Sequence, residues 1–376
     1  MRLGVFLENF TATELTKDPG LITLGLIEEG IDVKVFSHHA ATEVSRIFST
    51  SILSEAQRNE PNYWKESEID SLIIYSWLSL RYSKMISAAK EAGVRVILKL
   101  DSDGYLIYPL KPSYLKVFGL NKGIASKMVH LVRMAQWTLF PRIISRIKIK
   151  QIQTSDAVII ETPVAADNLK KSLLFWKRED LIDKIKIIPN PVSNWPKDIT
   201  TKQNIITAIG RWDDTRKNAT ALVRTLSGLK CDWQIHLIGN GSEKLAAQIL
   251  EKNPRTNIRS SEKKPHTEVF QDLAETKILF APSVAESYNL AVAESLCCGC
   301  SFVGGPLTSF QYFSNNGFSG RLTSDLKTES FIEALYDEIN KWNSEDYDPA
   351  IIASYWQKEL SPSRISRIII DIMASL

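Results

Sequence analysis

Short runs of branched apolar residues alternate along this chain with longer stretches whose apolar positions recur at helical spacing. Near-continuous Val and Ile runs are typical of buried parallel strands, and the amphipathic stretches between them, such as 217–229, are typical of crossover helices. The pattern therefore predicts an α/β protein with principal strands at Arg2–Leu7, Val33–Phe36, Ser71–Tyr75, Val94–Leu100, Ala157–Ile160, Lys186–Ile188, Ile205–Ile209, Trp233–Ile238, Ile278–Ala281 and Ser301–Val303.

Two such series of strands and helices predict two doubly wound, Rossmann-like domains that face a cleft. Prolines and asparagines interrupt the periodicity within 190–198, so we place the domain boundary there. The expected divisions are 1–190, 191–354 and a closing helix over 355–376. The cleft would be the ligand site, because open parallel sheets bind ligands beyond the carboxyl ends of their strands.

The composition is that of an ordinary globular protein. The chain has 376 residues, 44% of them hydrophobic and 24% charged, and a formal net charge of +3, a balance that excludes intrinsic disorder. The first residues lack the features of a secretory signal, and no apolar run approaches the roughly 20 residues of a membrane span. Its four cysteines do not resemble a disulfide framework. We expect a cytoplasmic protein that binds no nucleic acid.

The stretch PSVAESYNLAVAES places two carboxylates, Glu286 and Glu294, eight positions apart across a predicted loop-to-helix junction. We expect the helix to start near Tyr288 or Asn289, with Ser287 as its N-cap. The N–H groups of its first turn would then bind an anion such as a phosphate. Glu286 could serve a sugar, and Glu294 could accept hydrogen bonds from a ribose diol. From spacing alone, two ordinary solvated carboxylates remain the alternative.

Two glycine-containing turns follow predicted strands in the same half of the chain. IGRWDDTRK places Gly210, Arg211 and Lys217 between a strand and a helix, so that two cations could meet a diphosphate. LIGNGSE places Gly239 at a second strand-to-helix turn, where glycine permits a tight bend. Taken alone, the two cations could equally be solvated surface charges, and the second turn is a weak signal.

An ordered series of motifs covers the C-terminal half: IIPNPV, IGR with a following Lys, LIGNGSE, PSVAE with a second Glu eight residues on, and LCCGC. The series resembles the retaining glycosyltransferases of the GT-B fold, the large family of sucrose synthases, phosphatidylinositol mannosyltransferases and many transferases of bacterial lipopolysaccharide and capsule. The N-terminal half matches only in architecture. The resemblance implies a GT-B fold whose last helix crosses back to the first domain.

The resemblance also implies a role for each matched position. Arg211 and Lys217 would bind the donor diphosphate, and Glu286 would contact hydroxyls of the donor sugar as a catalytic residue. Glu294 would bind the ribose. Turn glycines and backbone amides would complete the donor site, at Gly210, Gly239, Tyr288, Asn289 and Leu290. No metal and no other cofactor is implied, because the nucleotide-diphosphate sugar is a co-substrate.

The chain departs from the family pattern where glycine is usual. After the first Glu the family commonly has a glycine-rich turn, as in EGFG, whereas this chain has Ser287, Tyr288 and Asn289. Asn218 likewise follows Lys217 where glycine is common. Glycine lets a backbone approach its ligand closely, so its loss indicates an unusual donor sugar.

In VILKLDSDGY, Asp101 and Asp103 follow a predicted strand. Asp101 looks like the counterpart of a histidine that the family often has near the reacting carbon of the donor sugar. A carboxylate there could orient the acceptor hydroxyl, accept its proton or stabilise an oxocarbenium-like transition state. A metal-binding Asp-x-Asp pair and a simple strand-end cap are the alternatives. Cys297, Cys298 and Cys300 lack the paired spacing of zinc ligands, so we expect buried thiols.

Residues 105–150 contain nine Lys and Arg and no Asp or Glu. Apolar residues recur at helical spacing beside these cations, which is the pattern of a surface helix that adsorbs to anionic lipid. The alternative is a helix that covers the N-terminal sheet and has a basic outer face.

The sequence therefore predicts a cytoplasmic, retaining, metal-independent glycosyltransferase, peripheral at the inner face of the cell membrane. It would move a sugar from a nucleotide-diphosphate sugar, bound by the C-terminal domain, to a hydroxyl of a glycolipid or saccharide bound by the N-terminal domain. The expected pathway is cell-surface polysaccharide or lipopolysaccharide biosynthesis. A noncatalytic nucleotide-sugar or glycan-binding subunit is the alternative, and a nucleotide-sugar epimerase is a weaker third hypothesis.

Overall fold

The computed structural model describes residues 1–107, 140–199 and 201–376. These residues form two compact units. The N-terminal unit holds 1–107, 140–193 and 360–376, and the C-terminal unit holds 194–199 and 201–359. The chain passes between units after residues 193 and 359, a few positions beyond the predicted boundaries at 190 and 354.

The N-terminal unit is built on a seven-stranded parallel sheet. Its strands are β1 (Arg2–Phe6), β3 (Asp32–Ser37), β5 (Ser49–Ile52), β6 (Ser71–Tyr75), β7 (Arg95–Lys99), β8 (Ala157–Ile160) and β9 (Ile185–Ile187), while β2 (Asn9–Phe10) pairs separately with β4 (His39–Ala40). Across the sheet the order is β5-β3-β1-β6-β7-β8-β9. The consecutive residues Val5 and Phe6 lie in different apolar clusters because side chains alternate across a sheet, so both faces are covered.

Helices pack on both faces of this sheet. They are α1 (Asp18–Glu28), α2 (Thr42–Ile47), α3 (Pro61–Glu66), α4 (Ser83–Glu91), α5 (Pro141–Thr154) and α6 (Pro163–Phe175). Proline occupies the first turn of four of them, where its missing N–H is not needed, and Thr162 caps α6 by accepting a hydrogen bond from the Ala165 N–H.

The C-terminal unit is built on a six-stranded parallel sheet of order β12-β11-β10-β13-β14-β15. The strands are β10 (Gln203–Ile209), β11 (Gln234–Ile238), β12 (Ile258–Ser261), β13 (Thr276–Ala281), β14 (Ser301–Gly304) and β15 (Gly320–Leu322). The helices are α7 (Ala219–Gly228), α8 (Ser242–Lys252), α9 (His266–Glu275), α10 (Leu290–Cys297), α11 (Thr308–Ser314), α12 (Thr328–Asn343) and α13 (Pro349–Leu360).

All ten predicted strands are present, with ends that shift by one or two residues. The sheet strands that the apolar pattern misses are β5, β12 and β15, and each lies at the edge of its sheet. Edge strands are only half covered, so their side chains stay polar or partly exposed and the hydrophobic signal is weak.

The predicted closing helix is two helices, because Pro362 ends the first and begins the second. α13 is followed by α14 (Pro362–Ser375), which Ser361 caps by accepting a hydrogen bond from the Arg364 N–H. Buried residues of α14, Ile365, Ile369 and Met373, lie in the apolar cluster of the N-terminal sheet. The last helix therefore returns to the N-terminal unit.

The predicted lipid-binding stretch 105–150 lies mostly outside the described residues. Within α5, Arg142, Ile143 and Lys150 are exposed. Lys148 is buried instead, and its Nζ donates to the Leu106 carbonyl at 2.8 Å, so this cation is not available to a lipid surface. Among the described residues, no helix is both long enough and apolar enough to cross a bilayer.

Candidate functional site

The C-terminal sheet has a switch point between β10 and β13. These strands are neighbours, but the chain continues from β10 to β11 on one side and from β13 to β14 on the other. The loops after the two strands therefore diverge and leave a crevice at their carboxyl ends, which is where open α/β sheets bind ligands. Most of the predicted donor residues lie in these two loops, at 210–217 and 286–290, whereas Gly239 follows β11 and Glu294 lies within α10.

An ion pair joins the two loops. Lys217 Nζ lies 2.7 Å from Glu286 Oε1, and Ser283 Oγ donates to the same oxygen at 2.8 Å. The side chains of Lys217 and Glu286 are only 19% and 13% exposed, so their attraction is screened less than that of a surface pair. The Val284 N–H also donates to the Arg216 carbonyl at 2.8 Å, which fixes the two loops against each other.

A small cavity lies at this junction. It is lined by Lys217, Ser283 and Asn289 together with the ends of β10 and β13. A cation, a hydroxyl and the start of a helix thus border one space at the switch point, and the predicted site residues Lys217 and Asn289 are among the lining residues.

Asparagine stands at two of the positions where the family pattern has glycine, and at both it adopts the left-handed conformation. Asn218 has φ 55° and Asn289 has φ 75°. Asparagine tolerates this region better than other side-chain-bearing residues, because its short amide can bond locally. The Asn218 Nδ2 donates to the Pro282 carbonyl at 3.1 Å. The left-handed backbone that glycine would permit is therefore kept at these two positions.

The start of α10 differs from the sequence prediction in its cap. Asn289, not Ser287, is the N-cap, and its Oδ1 accepts from the Val292 N–H at 3.2 Å. The prediction of Ser287 was wrong because the helix begins at Leu290, so the residue directly before it is Asn289, whose backbone is left-handed. The Tyr288 side chain is buried against Phe313, with ring centroids 4.9 Å apart, so only its backbone could serve a ligand.

Gly239 is required by packing between neighbouring turns. Its φ is 114°, and a Cβ there would lie 2.0 Å from the Gly210 carbonyl oxygen. Gly210 and Gly239 therefore bring the turns after β10 and β11 into backbone contact at the carboxyl edge of the sheet. This is a structural reason for the LIGNGSE glycine, whichever ligand binds nearby.

Arg211 lies at the exposed side of its loop. Its side chain is 71% exposed, and its Nη2 lies 3.3 Å from Asp214 Oδ2. Arg216 binds the same carboxylate through two nitrogens. Burial opposes ionisation of Asp214, but hydrogen bonds from Arg216 and the charges of Arg216 and Arg211 lower its pKa to about 2. The structure thus joins Lys217 to Glu286 and joins Arg211 to Asp214.

Glu294 has a partner that the sequence did not suggest. His266, the first residue of α9, places its Nε2 2.8 Å from Glu294 Oε1, and its ring packs on Phe270. The hydrogen bond to Glu294 raises the pKa of His266 against the opposing effect of burial. Sequence gave no signal for this pair, because His266 belongs to no motif. Glu294 lies one turn into α10.

Asp101 lies at the carboxyl edge of the N-terminal sheet, just after β7. Its φ is 45°, an uncommon left-handed value for a residue other than glycine. Glu161, which follows β8, holds this turn, because its two oxygens accept from the N–H groups of Asp101 at 2.8 Å and Ser102 at 3.1 Å. The Asp103 carbonyl accepts from Asn168 Nδ2 at 3.0 Å.

Behind Asp101 lies a buried charged cluster that sequence reasoning missed. Lys99 is paired with Glu161, donates to Asn190 Oδ1 at 2.7 Å and lies 3.9 Å from Asp18 Oδ2. Burial raises the pKa of Asp18 to about 7, although Lys99 opposes the shift. Two features of the sequence could have indicated the cluster. Lys99 lies within an apolar strand, and Glu161 directly follows another apolar strand.

The cysteines are free thiols, and Cys297, Cys298 and Cys300 are buried, as predicted. Within the described ranges, no group of three or more His, Cys, Asp or Glu side chains is arranged to hold a metal ion.

Comparisons with known proteins agree with this architecture. Residues 203–340 match the family model described as glycosyl transferases group 1. The chain is similar to Anabaena Alr3699/HepE in complex with UDP and glucose, at 13% identity and a TM-score of 0.68 over 100% of both chains. No curated protein sequence matches it.

Two further solved structures share the fold. The lipopolysaccharide outer core galactosyltransferase WaaB is 14% identical, with a TM-score of 0.65 over 100% of both chains. The sucrose-phosphate synthase of Thermosynechococcus elongatus is 13% identical, with a TM-score of 0.64 over 100% of this chain and 98% of that one. The predicted fold is confirmed: the chain has the GT-B fold, and its residues 203–340 match the model of the group 1 glycosyl transferases.

Proposed function

We propose that this chain is a retaining glycosyltransferase that moves a sugar from a nucleotide-diphosphate sugar to a hydroxyl of a glycolipid or saccharide acceptor. The C-terminal unit binds the donor and the N-terminal unit binds the acceptor. The observation that carries the proposal is the contact between Lys217 and Glu286 at the switch point of the C-terminal sheet.

This contact matches the chemistry of the donor. In a nucleotide-diphosphate sugar the distal phosphate is bonded directly to the anomeric carbon, so the groups that bind phosphate and sugar must be neighbours. Lys217 supplies the charge for the phosphate, and Glu286 supplies an acceptor for sugar hydroxyls at 2.7 Å from it. In the free protein each group satisfies the other, and the donor would replace that pairing.

The leaving diphosphate gains negative charge as the glycosidic bond breaks. Lys217 and the first N–H groups of α10, at Leu290 and Ala291, stabilise that charge, because a helix leaves these donors without internal partners. Arg211 reaches the diphosphate from the exposed side of its loop. Positive charge of this kind replaces a metal ion, so we propose a metal-independent reaction.

Asp101 serves the acceptor in the N-terminal unit. Its carboxylate orients the attacking hydroxyl and accepts its proton, or stabilises positive charge on the sugar. Glu294 binds the ribose of the donor and is held by His266. That HepE was solved in complex with UDP-glucose supports a nucleotide sugar as the donor.

The lipopolysaccharide transferase among the structural relatives supports a function in cell-surface polysaccharide or lipopolysaccharide biosynthesis. We propose a cytoplasmic enzyme, peripheral at the inner face of the membrane, where its acceptor would be available. The exposed basic and apolar residues of α5, Arg142, Ile143 and Lys150, support this location.

The test is a transfer assay with a panel of uridine, guanosine and adenosine diphosphate sugars and with saccharide and glycolipid acceptors. The anomeric configuration of the product is read by NMR. We expect transfer with retention, unaffected by EDTA, and a loss of about 10- to 100-fold in kcat/KM for Lys217→Ala. Lys252→Ala, in the exposed last turn of α8, is the matched control. Wild-type transfer rates in Lys217→Ala would overturn the proposal.

The alternative is a noncatalytic subunit that binds a nucleotide sugar or glycan. The turn after Glu286 has Ser287 where the family pattern has glycine, and this departure is the observation that favours the alternative. Nucleotide binding without turnover of any acceptor in the panel would support it.

A further inference from the structure

The N-terminal sheet has its own switch point, between β1 and β6. The chain continues from β1 to β3 on one side and from β6 to β7 on the other, so the loops after β1 and β6 diverge at the carboxyl edge. Open parallel sheets bind ligands in such a crevice. Glu8 follows β1, and Trp77 follows β6.

The loop that carries Trp77 has an unusual backbone. Trp77 and Leu78 are consecutive left-handed residues, with φ 47° and 49°, a conformation that is rare for large side chains. Ser76 holds the turn: its carbonyl accepts from the Ser79 N–H at 2.7 Å, and its Oγ accepts from the Leu78 N–H at 3.3 Å. Backbone strain that the surroundings maintain in this way is concentrated at functional sites.

This backbone presents an indole to solvent. The Trp77 side chain is 42% exposed, whereas Leu78 beside it is buried. The indole Nε1 lies 3.4 Å from Asp101 Oδ2, so the polar edge of the ring is directed to the candidate acceptor carboxylate. An aromatic ring fixed by its edge leaves its apolar face available for stacking.

Polar groups border the same crevice. Arg81 Nη1 lies 2.6 Å from Glu8 Oε1, and Tyr82 donates to Glu8 Oε2 at 3.2 Å, so these contacts connect the loops after β1 and β6. The Arg81 side chain is 50% exposed and that of Glu8 is 25% exposed. They offer hydrogen-bond donors and acceptors that suit the hydroxyl groups of a sugar.

We propose that Trp77 is the platform on which a neutral pyranose ring of the acceptor stacks. The apolar C–H face of the sugar lies on the indole, one hydroxyl bonds to Asp101, and others bond to the Arg81–Glu8 pair. Trp77 thus determines specificity for a saccharide acceptor. The inference rests on the proposed function for its catalytic meaning, but sugar binding at Trp77 can be measured without any turnover.

The experiment compares wild type with Trp77→Ala and Trp77→Phe, with Phe175→Ala as the control because Phe175 is another exposed aromatic residue of the same unit. The Trp77 indole N–H signal is assigned in the 1H–15N spectrum by its loss in Trp77→Phe. Methyl glucoside, galactoside, mannoside and N-acetylglucosaminide are the probes. With an active acceptor, we expect Trp77→Ala to raise the acceptor KM about tenfold and Trp77→Phe about threefold, with the donor KM unchanged.

In wild type we expect at least one glycoside to shift the Trp77 indole signal, and Asp101→Asn to weaken that titration. The inference is overturned if no glycoside moves the signal, or if Trp77→Ala leaves the acceptor KM unchanged. It is also overturned if Trp77→Ala reduces binding to vesicles of anionic phospholipid without affecting sugar binding, because Trp77 would then contact a membrane. A wild type that transfers no sugar refutes the proposed function, while the indole titration still decides the sugar site.

Discussion

Replacing Glu161 with glutamine tests whether a buried ion pair positions Asp101. Glu161 is fully buried, and its carboxylate pairs with Lys99 while accepting from the N–H groups of Asp101 and Ser102. Glutamine is nearly the same size but has only one accepting oxygen. Its NH2 group would face either the Lys99 ammonium or a backbone N–H, so at least one buried donor would lose its acceptor.

The structure sets the size of the effect. Removing one partner of a buried pair costs about 3–5 kcal/mol of stability, because the other charge stays buried. The left-handed turn at Asp101 costs about 1–2 kcal/mol, and the two hydrogen bonds that Glu161 accepts from this turn offset that cost. With one bond gone, the turn relaxes and Asp101 moves. A misplacement of about 1 Å at a reacting group lowers the rate by about 100-fold.

The assay is a double-mutant cycle. It compares kcat among four proteins: wild type, Asp101→Asn, Glu161→Gln and the combined variant. If Glu161 acts through Asp101, the combined variant is no slower than Asp101→Asn alone, and the coupling energy is about 1–3 kcal/mol. The donor KM should not change, because the proposed donor residues lie in the other unit. Additive losses across the cycle would refute the positioning argument.

A second pair of variants controls for folding. Lys99→Met with Glu161→Leu removes both charges of the pair, so neither is left buried without the other, and Asp18, whose pKa is already raised to about 7, becomes neutral. We expect a melting temperature above that of Lys99→Met alone, with transfer still lost. Lys99→Met alone should melt at a lower temperature. Full activity in the paired apolar variant would show that the ion pair serves only the fold.

Three further variants test other parts of the structure. Asp18→Asn should remove a pH dependence of stability: the folded pKa of Asp18, about 7, exceeds its ordinary 3.8, so wild type loses up to about 4 kcal/mol of unfolding free energy as pH rises between these values. Urea titrations at pH 4 and 8 measure the difference. His266→Phe keeps the ring on Phe270 but not the bond to Glu294, so calorimetry should show about fivefold weaker nucleotide binding. Gly239→Ala should lower the melting temperature far more than Gly241→Ala. The new Cβ of Gly239→Ala would lie 2.0 Å from the Gly210 carbonyl oxygen, whereas that of Gly241→Ala would lie 3.6 Å from the Trp212 side chain.

The strands were predictable because burial on both faces makes them continuously apolar. β5, β12 and β15 were not, because these three edge strands contain no continuous apolar run. The contact between Lys217 and Glu286 was predictable for another reason: both follow strands, and parallel strands bring their carboxyl ends to one edge. The functions assigned to these residues stay predictions.

Pairings across elements were beyond the sequence. No local pattern links His266 to Glu294, or Glu161 to the turn at Asp101, since the partners are brought together only when separate crossover units pack. Ser287 was the wrong cap because serine and asparagine are both favoured N-caps, and the sequence does not show that the helix begins only at Leu290, directly after Asn289.

The most direct test of the central claim is calorimetric titration of nucleoside diphosphates and their sugar conjugates into wild type, Lys217→Ala and Glu286→Gln. If the two side chains bind phosphate and sugar of one donor, Lys217→Ala weakens the diphosphate and its conjugate alike. Glu286→Gln should weaken the conjugate much more than the diphosphate. Wild-type affinity of Lys217→Ala for every nucleotide that the protein binds would contradict the account.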